Sequence, residues 1–122
     1  MRPLEPLPSH LPEAERAARL PRGFEALGTT AGIKGSGAPD LGVVLVKDGP
    51  AAVAATFTTN RLPAAPVRMN RAHLAATAPE GEGRYGWVDA VMCTSGCANA
   101  ATGEAGLADQ RSLAATLATH AG

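Results

Sequence analysis

The chain has 122 residues, enough for one modest domain; 45% of them are hydrophobic but only 3% are aromatic. Much of the apolar fraction is alanine, which buries little area, so the sequence predicts a thin core that more chain or a partner must complete. Its 11 basic and 11 acidic residues cancel, which argues against a general electrostatic grip on nucleic acid or anionic membrane, and no apolar stretch approaches membrane-spanning length.

Residues 1–22, "MRPLEPLPSHLPEAERAARLPR", hold five of the ten prolines and read as an N-terminal extension. A short helix through "EAERAARL", opened by Ser9 or Pro12 and stopped by Pro21, is the other reading. The segment lacks the basic tip and apolar run of a secretory signal, and a cytoplasmic protein is expected. The folded part, residues 23–122, is expected to begin at Gly23.

"GFEALGTTAGIK" reads as a strand interrupted by glycine, and "GSGAPD" as a loop. "LGVVLVK" reads as a buried strand. "DGP" and "AAVAATFTTN" then suggest a turn and an antiparallel partner for it. "APVRMN" is expected as a third short strand, with Asn70 capping a helix over "RAHLAAT". "APEGEGR" is a polar loop. "YGWVDAVMCT" reads as one strand apolar on both faces, as expected if both are covered. After the loop "TSGCANAATGEAG", Leu107, Ala114, Leu117, Ala118 and Ala121 fall on one helical stripe, with Thr102 placed to cap the helix and Glu104 near its positive end. Strands followed by a covering helix make an α+β layered domain.

Few residues suggest chemistry. "AGIKGSGAPD" resembles a phosphate loop but lacks the order G-x-x-x-x-G-K-S/T, since Lys34 precedes Ser36 and Gly37. Lys34 is left facing solvent, paired to Asp40, or close to a substrate carboxylate. Cys93 and Cys97 read as two reduced thiols. His10, His73 and His120 stand at no zinc-finger spacing, so no metal is implied. Cys97 sits just before a helix start, where a thiol gains acidity, but no histidine is near it in sequence, and a small turn residue is the preferred reading. Gly96, Ala98 and Ala100 allow close backbone approach, and Asn99 and Thr102 offer hydrogen bonds to a neighbour or ligand. Free amides at the following helix start would favour a carboxylate or oxyanion. Local physics favours a structural turn over a direct ligand site.

Three separate motifs, "AGIK-SG--DL", "FTTNR--AAPV" and "SG-ANA-TG--G", occur in that order over residues 22–120. Together they resemble the N-terminal part of the glutamate N-acetyltransferase (ornithine acetyltransferase) family. The resemblance implies an αββα-type sandwich built from two subunits and an enzyme of arginine biosynthesis. It implies transfer of acetyl from N2-acetylornithine to glutamate, with acetyl-CoA as a further donor in some members and no bound cofactor. The nucleophile is a threonine exposed by self-cleavage, whose free amine serves as the local base. That threonine and the oxyanion-stabilising Thr-Gly pair have no counterpart in this chain, so no catalytic residue is expected within it, and by itself it is expected to be inactive. Its partners would be the downstream remainder of the alpha subunit and the beta subunit. Asn99, Thr102 and Gly103 are the candidates for contact with substrate, Ser95 and Gly96 for shaping the turn, and Lys34 is a further candidate. Thr94 and Cys97 depart from the family's loop, which usually carries asparagine at the first of these positions and often at the second. Two other readings stand beside this one: a related N-terminal-nucleophile amidohydrolase or peptidase, and a non-catalytic domain that binds a small acidic ligand or a partner chain.

Overall fold

The computed structural model describes residues 20–80 and 85–121. The extension up to Arg19, with most of the alternative helix over "EAERAARL", lies outside the described residues. A three-stranded antiparallel sheet is built from β1 (Phe24–Thr29), β2 (Leu41–Val46) and β5 (Ala90–Thr94), in the order β1-β2-β5. A second, two-stranded sheet pairs β3 (Ala51–Val53) with β4 (Gly86–Val88). Helix α1 (Ala65–Thr77) lies between β3 and β4 in sequence, and helix α2 (Gly103–Ala121) follows β5. The α+β class holds.

Three strand expectations are corrected. The turn at Gly49 does not make a hairpin of "LGVVLVK" and "AAVAATFTTN". β2 pairs instead with β1 and β5, Val44 lying opposite both Ala26 and Val91. β-branched Val43, Val44 and Val46 suit a central strand, and a central strand has no edge left for β3. Of "AAVAATFTTN", only Ala51–Val53 is strand. "YGWVDAVMCT" is not one strand: the chain bends at Asp89 and its halves join different sheets. Its faces are left partly open within this chain, in line with a core that more chain or a partner must complete. Trp87 is 39% exposed and Val91 45%. Leu27, on the opposite face of the same sheet from Val91, is 65% exposed, and every residue of β2 is only half-buried.

The helices also depart from expectation at their starts. "APVRMN" is the opening of α1 rather than a strand. Pro66 stands in its first turn, where a missing N–H costs nothing, and Ala64 takes the cap position without a side-chain bond. Asn70 is therefore inside the helix and caps nothing. In α2, Leu107, Ala114 and Leu117 face inward as expected, but half-buried Gln110 shares their stripe and Ala118 is exposed.

The buried apolar residues among those described, Ala65 and Leu107, sit at the heads of the two helices, next to buried Gly106. Arg68 bridges to Glu104 at 3.0 Å across the same junction. The far end of α1 is jammed against β4. A Cβ on Gly86 would stand 2.8 Å from the Leu74 carbonyl oxygen and 2.9 Å from its Cα, so only glycine admits this approach. The Trp87 amide donates to Thr77 Oγ1 at 3.0 Å, and His73 Nε2 lies 2.9 Å from the Trp87 carbonyl oxygen. Arg71 stacks over Phe57, 5.4 Å from the ring centroid, and donates to the Thr58 carbonyl, which ties residues 57–58 to α1.

Candidate functional site

The sequence candidates gather in two loops at one end of the main sheet. The first, residues 30–40, joins β1 to β2. Its glycine-rich turn points the amides of Ala31, Ile33 and Lys34 inward, and all three donate to the Asp40 carboxylate at 2.6, 2.6 and 2.8 Å. Asp40 is 3% exposed. The amide of Ala31 foremost, then that of Lys34, holds its carboxyl below the ordinary 3.8; burial opposes this, and the Ile33 amide and the Lys34 charge add to it. The loop that resembles a phosphate cradle is thus filled by the chain's own anion. Lys34 does not pair with that carboxylate through its ammonium. Nζ donates to the Pro39 carbonyl at 2.9 Å, and it is the Lys34 main-chain amide that reaches Asp40. Asp40, passed over as a functional residue in the sequence, had one signal: an acid directly after a Gly/Ser/Pro loop, just before an apolar strand.

The second loop, residues 95–102, joins β5 to α2. The Ser95 amide donates to the Asp40 carbonyl at 2.9 Å, which locks the two loops together. Gly96, at φ 109°, packs so tightly that a Cβ there would lie 3.0 Å from Lys34 Cγ and 3.4 Å from Ile33 Cγ2. Ser95, Gly96 and Lys34, distant in sequence, are therefore neighbours.

Asn99, Thr102 and Gly103 form the other cluster. Asn99 Oδ1 accepts from the Thr102 hydroxyl at 2.6 Å, and Asn99 Nδ2 donates to the Gly106 carbonyl at 2.9 Å. The Asn99 carbonyl takes the amide of Ala65, the first residue of α1, at 3.3 Å. One asparagine thus joins the heads of both helices. The expected cap is modified accordingly. The Thr102 carbonyl accepts the Gly106 amide at 3.3 Å, but its hydroxyl donates back to Asn99 and accepts no helix amide. Gly106 was missed in the sequence. A Cβ there would overlap the Thr102 hydroxyl and the Asn99 side-chain oxygen. A glycine inside a helical pattern, one turn after a loop, was the available signal.

A shallow cavity of about 260 Å³ lies between the loop, β5 and both helices, with Pro66, Met92, Cys97, Asn99 and Leu113 on its walls. Cys93 and Cys97 are both free and exposed. Cys93 shares a sheet face with Gly42, opposite the face of Met92, and Met92, Cys93 and Cys97 all border the cavity. Among the described residues, no three His, Cys, Asp or Glu side chains stand together as a metal would need, and no helix is long and apolar enough to cross a membrane.

Residues 25–122 match the ArgJ family. The arginine biosynthesis bifunctional protein ArgJ of Thermosynechococcus vestitus is 45% identical over 98 residues, 80% of this chain and 21% of that protein. The protein of the same name from Thermus thermophilus is 44% identical over 106 residues, 87% of this chain and 26% of its own length. The mitochondrial ArgJ protein of Uncinocarpus reesii is 40% identical over 117 residues, 90% of this chain and 24% of its own. The chain therefore spans about a fifth to a quarter of the length of these relatives. The structure also resembles that of ornithine acetyltransferase complexed with ornithine from Mycobacterium tuberculosis, with a TM-score of 0.62 and 45% identity, over 73% of this chain and 42% of that one.

Proposed function

The chain belongs to the ArgJ family, and on that premise we propose that it forms part of an acetyltransferase of arginine biosynthesis. The single observation that supports the reading most strongly is the joint likeness to ornithine acetyltransferase in fold, at a TM-score of 0.62, and in sequence, at 45% identity. Fold alone would not carry an activity.

In the proposed reaction, the hydroxyl of a threonine outside residues 1–122 attacks the acetyl carbonyl of N2-acetylornithine. The C–N bond breaks, the ornithine amine leaves with the hydroxyl proton, and an acetyl ester remains on the enzyme. The glutamate amine then displaces the threonine oxygen, gives a proton back to it, and leaves as N-acetylglutamate. Self-cleavage frees that threonine, acetyl-CoA serves as a second donor, and the enzyme works in the cytoplasm. The partners of this chain are the remainder of the alpha subunit and the beta subunit. The exposure of Leu27 and Val91 on opposite faces of the main sheet supports a further layer of chain over it.

Within this scheme the two joined loops shape the substrate site. Asn99, Thr102 and Gly103 lie toward the substrate, Ser95 and Gly96 shape the turn at its edge, and Lys34 stands beside that turn. Incubation of the complete gene product with N2-acetylornithine and glutamate is expected to yield N-acetylglutamate and ornithine in equal amounts. Release of free acetate without N-acetylglutamate would replace the transferase reading with a hydrolase. Residues 1–122 alone are expected to give neither product.

A further inference from the structure

A concave run of main-chain amides is an anion site, and it is usually filled from outside the chain. In loop 30–40 the occupant is internal: Asp40, 3% exposed, takes the amides of Ala31, Ile33 and Lys34. The same residue holds two more main-chain bonds. Its amide donates to the Thr29 carbonyl at 3.1 Å, and its carbonyl accepts the Ser95 amide at 2.9 Å. Next to that last bond, Gly96 packs against the Lys34 stem. Lys34 is therefore tied to the Ser95–Gly96 turn through one residue, its amide on the Asp40 carboxylate and the Ser95 amide on the Asp40 carbonyl.

We infer that Asp40 is a positioning residue whose carboxylate closes the amide nest of loop 30–40 and so holds Lys34 and the Ser95–Gly96 turn in register at the edge of the substrate site. It touches no substrate; it acts through the two loops it joins. Its consequence for turnover rests on the acetyltransferase reading, whereas the closure of the nest rests on geometry alone. Asparagine cannot do the same work. It has one acceptor oxygen for three donors and turns an N–H group toward the rest. Alanine leaves a gap the size of a small carboxylate, ringed by three unsatisfied donors.

The test compares the wild-type complete gene product with Asp40→Ala and Asp40→Asn by amide hydrogen exchange and by acetyl-transfer kinetics. In Asp40→Ala the amides of Ala31, Ile33, Lys34 and Ser95 should exchange at least about tenfold faster, and kcat/KM should fall about tenfold or more. Formate should restore slow exchange and turnover together. Acetamide, neutral and able to offer only one acceptor oxygen, should restore neither. If Asp40→Ala does not fold, Asp40→Asn carries the exchange and kinetic readings. Unchanged exchange at these four amides, unchanged kcat/KM in a folded Asp40→Asn, or equal rescue by acetamide would each overturn the inference. A wild-type protein without acetyl transfer would sink the acetyltransferase reading instead. Exchange and its reversal by formate would then still decide whether Asp40 closes the nest and holds Ser95.

Discussion

Loops 30–40 and 95–102 are both rich in small residues, and both must turn the chain within a few ångströms of each other. They are closed by different chemistry. The first is closed by a charge: one buried carboxylate gathers three amides, and the backbone supplies all the donors. The second is closed by a neutral amide: Asn99 satisfies the Thr102 hydroxyl and the Gly106 carbonyl, and the backbone bends through positive φ at Asn99 (43°) and Ala101 (58°). Asparagine tolerates that region better than other residues with a Cβ; for alanine it costs roughly 1 kcal/mol or more. A charge-closed loop is sensitive to acid and tolerant in shape. An amide-closed loop is indifferent to pH and intolerant of added atoms.

The largest effect expected from this contrast is at Gly106. Alanine there gains helix propensity but drives a methyl into Thr102 and Asn99, which forces the loop off the helix head. Net destabilisation of about 3 kcal/mol is expected, read as a shift in the denaturant midpoint at constant slope. A neutral or stabilising Gly106→Ala would mean that the loop is not closed by this contact.

Asn99→Ala should cost about 2 kcal/mol, from two lost hydrogen bonds and the positive φ. Asn99→Gly loses the same bonds without the backbone penalty. It should be about 1 kcal/mol less damaging, and the difference between the two variants isolates the strain from the bonding. Equal losses would show that φ at residue 99 carries no cost.

The pH dependence separates the two loops directly. The Asp40 carboxyl titrates below its ordinary 3.8 in the folded chain. A folded-state pKa below the unfolded one contributes stability that is complete above the unfolded value and disappears as pH falls through the folded value. The melting temperature of the wild type should therefore exceed that of Asp40→Asn by a constant margin above about pH 5, and the margin should close below pH 3.8. The gap between wild type and Asn99→Ala should stay level over the same range. A wild-type to Asp40→Asn margin that does not close in acid would show that the ionised form of Asp40 is not the one that stabilises.

The smallest effect is expected at Cys97, exposed in the second loop. Cys97→Ala should change stability by less than about 0.5 kcal/mol and leave most acetyl transfer intact. A rate loss of roughly a thousandfold in a folded variant would mean that the thiol takes part in the chemistry.

The sequence by itself determined the class of the domain, the existence of the segments that became β1, β2, β5 and α2, and the two glycine-rich loops between them. These follow from local rules: β-branched runs extend, glycine and proline turn, and an apolar stripe at helical spacing finds a face. The three ordered motifs also sufficed for the family. Pairing was not legible. β3 looked like the partner of β2 because a short turn lies between them, yet β1 and β5 take both edges of β2, and sequence proximity does not rank competing edges. The opening of α1 looked like a strand because Ala65, Val67 and Met69 alternate acceptably; the helix was decided by its junction with α2, through the Ala65 amide on the Asn99 carbonyl and Arg68 on Glu104. The gathering of Lys34, Asp40, Ser95 and Gly96 was decided by tertiary structure alone. It needs residues about 60 apart in sequence to share one hydrogen-bonded seam, and burial of Asp40 is favourable only where three amides already converge on it.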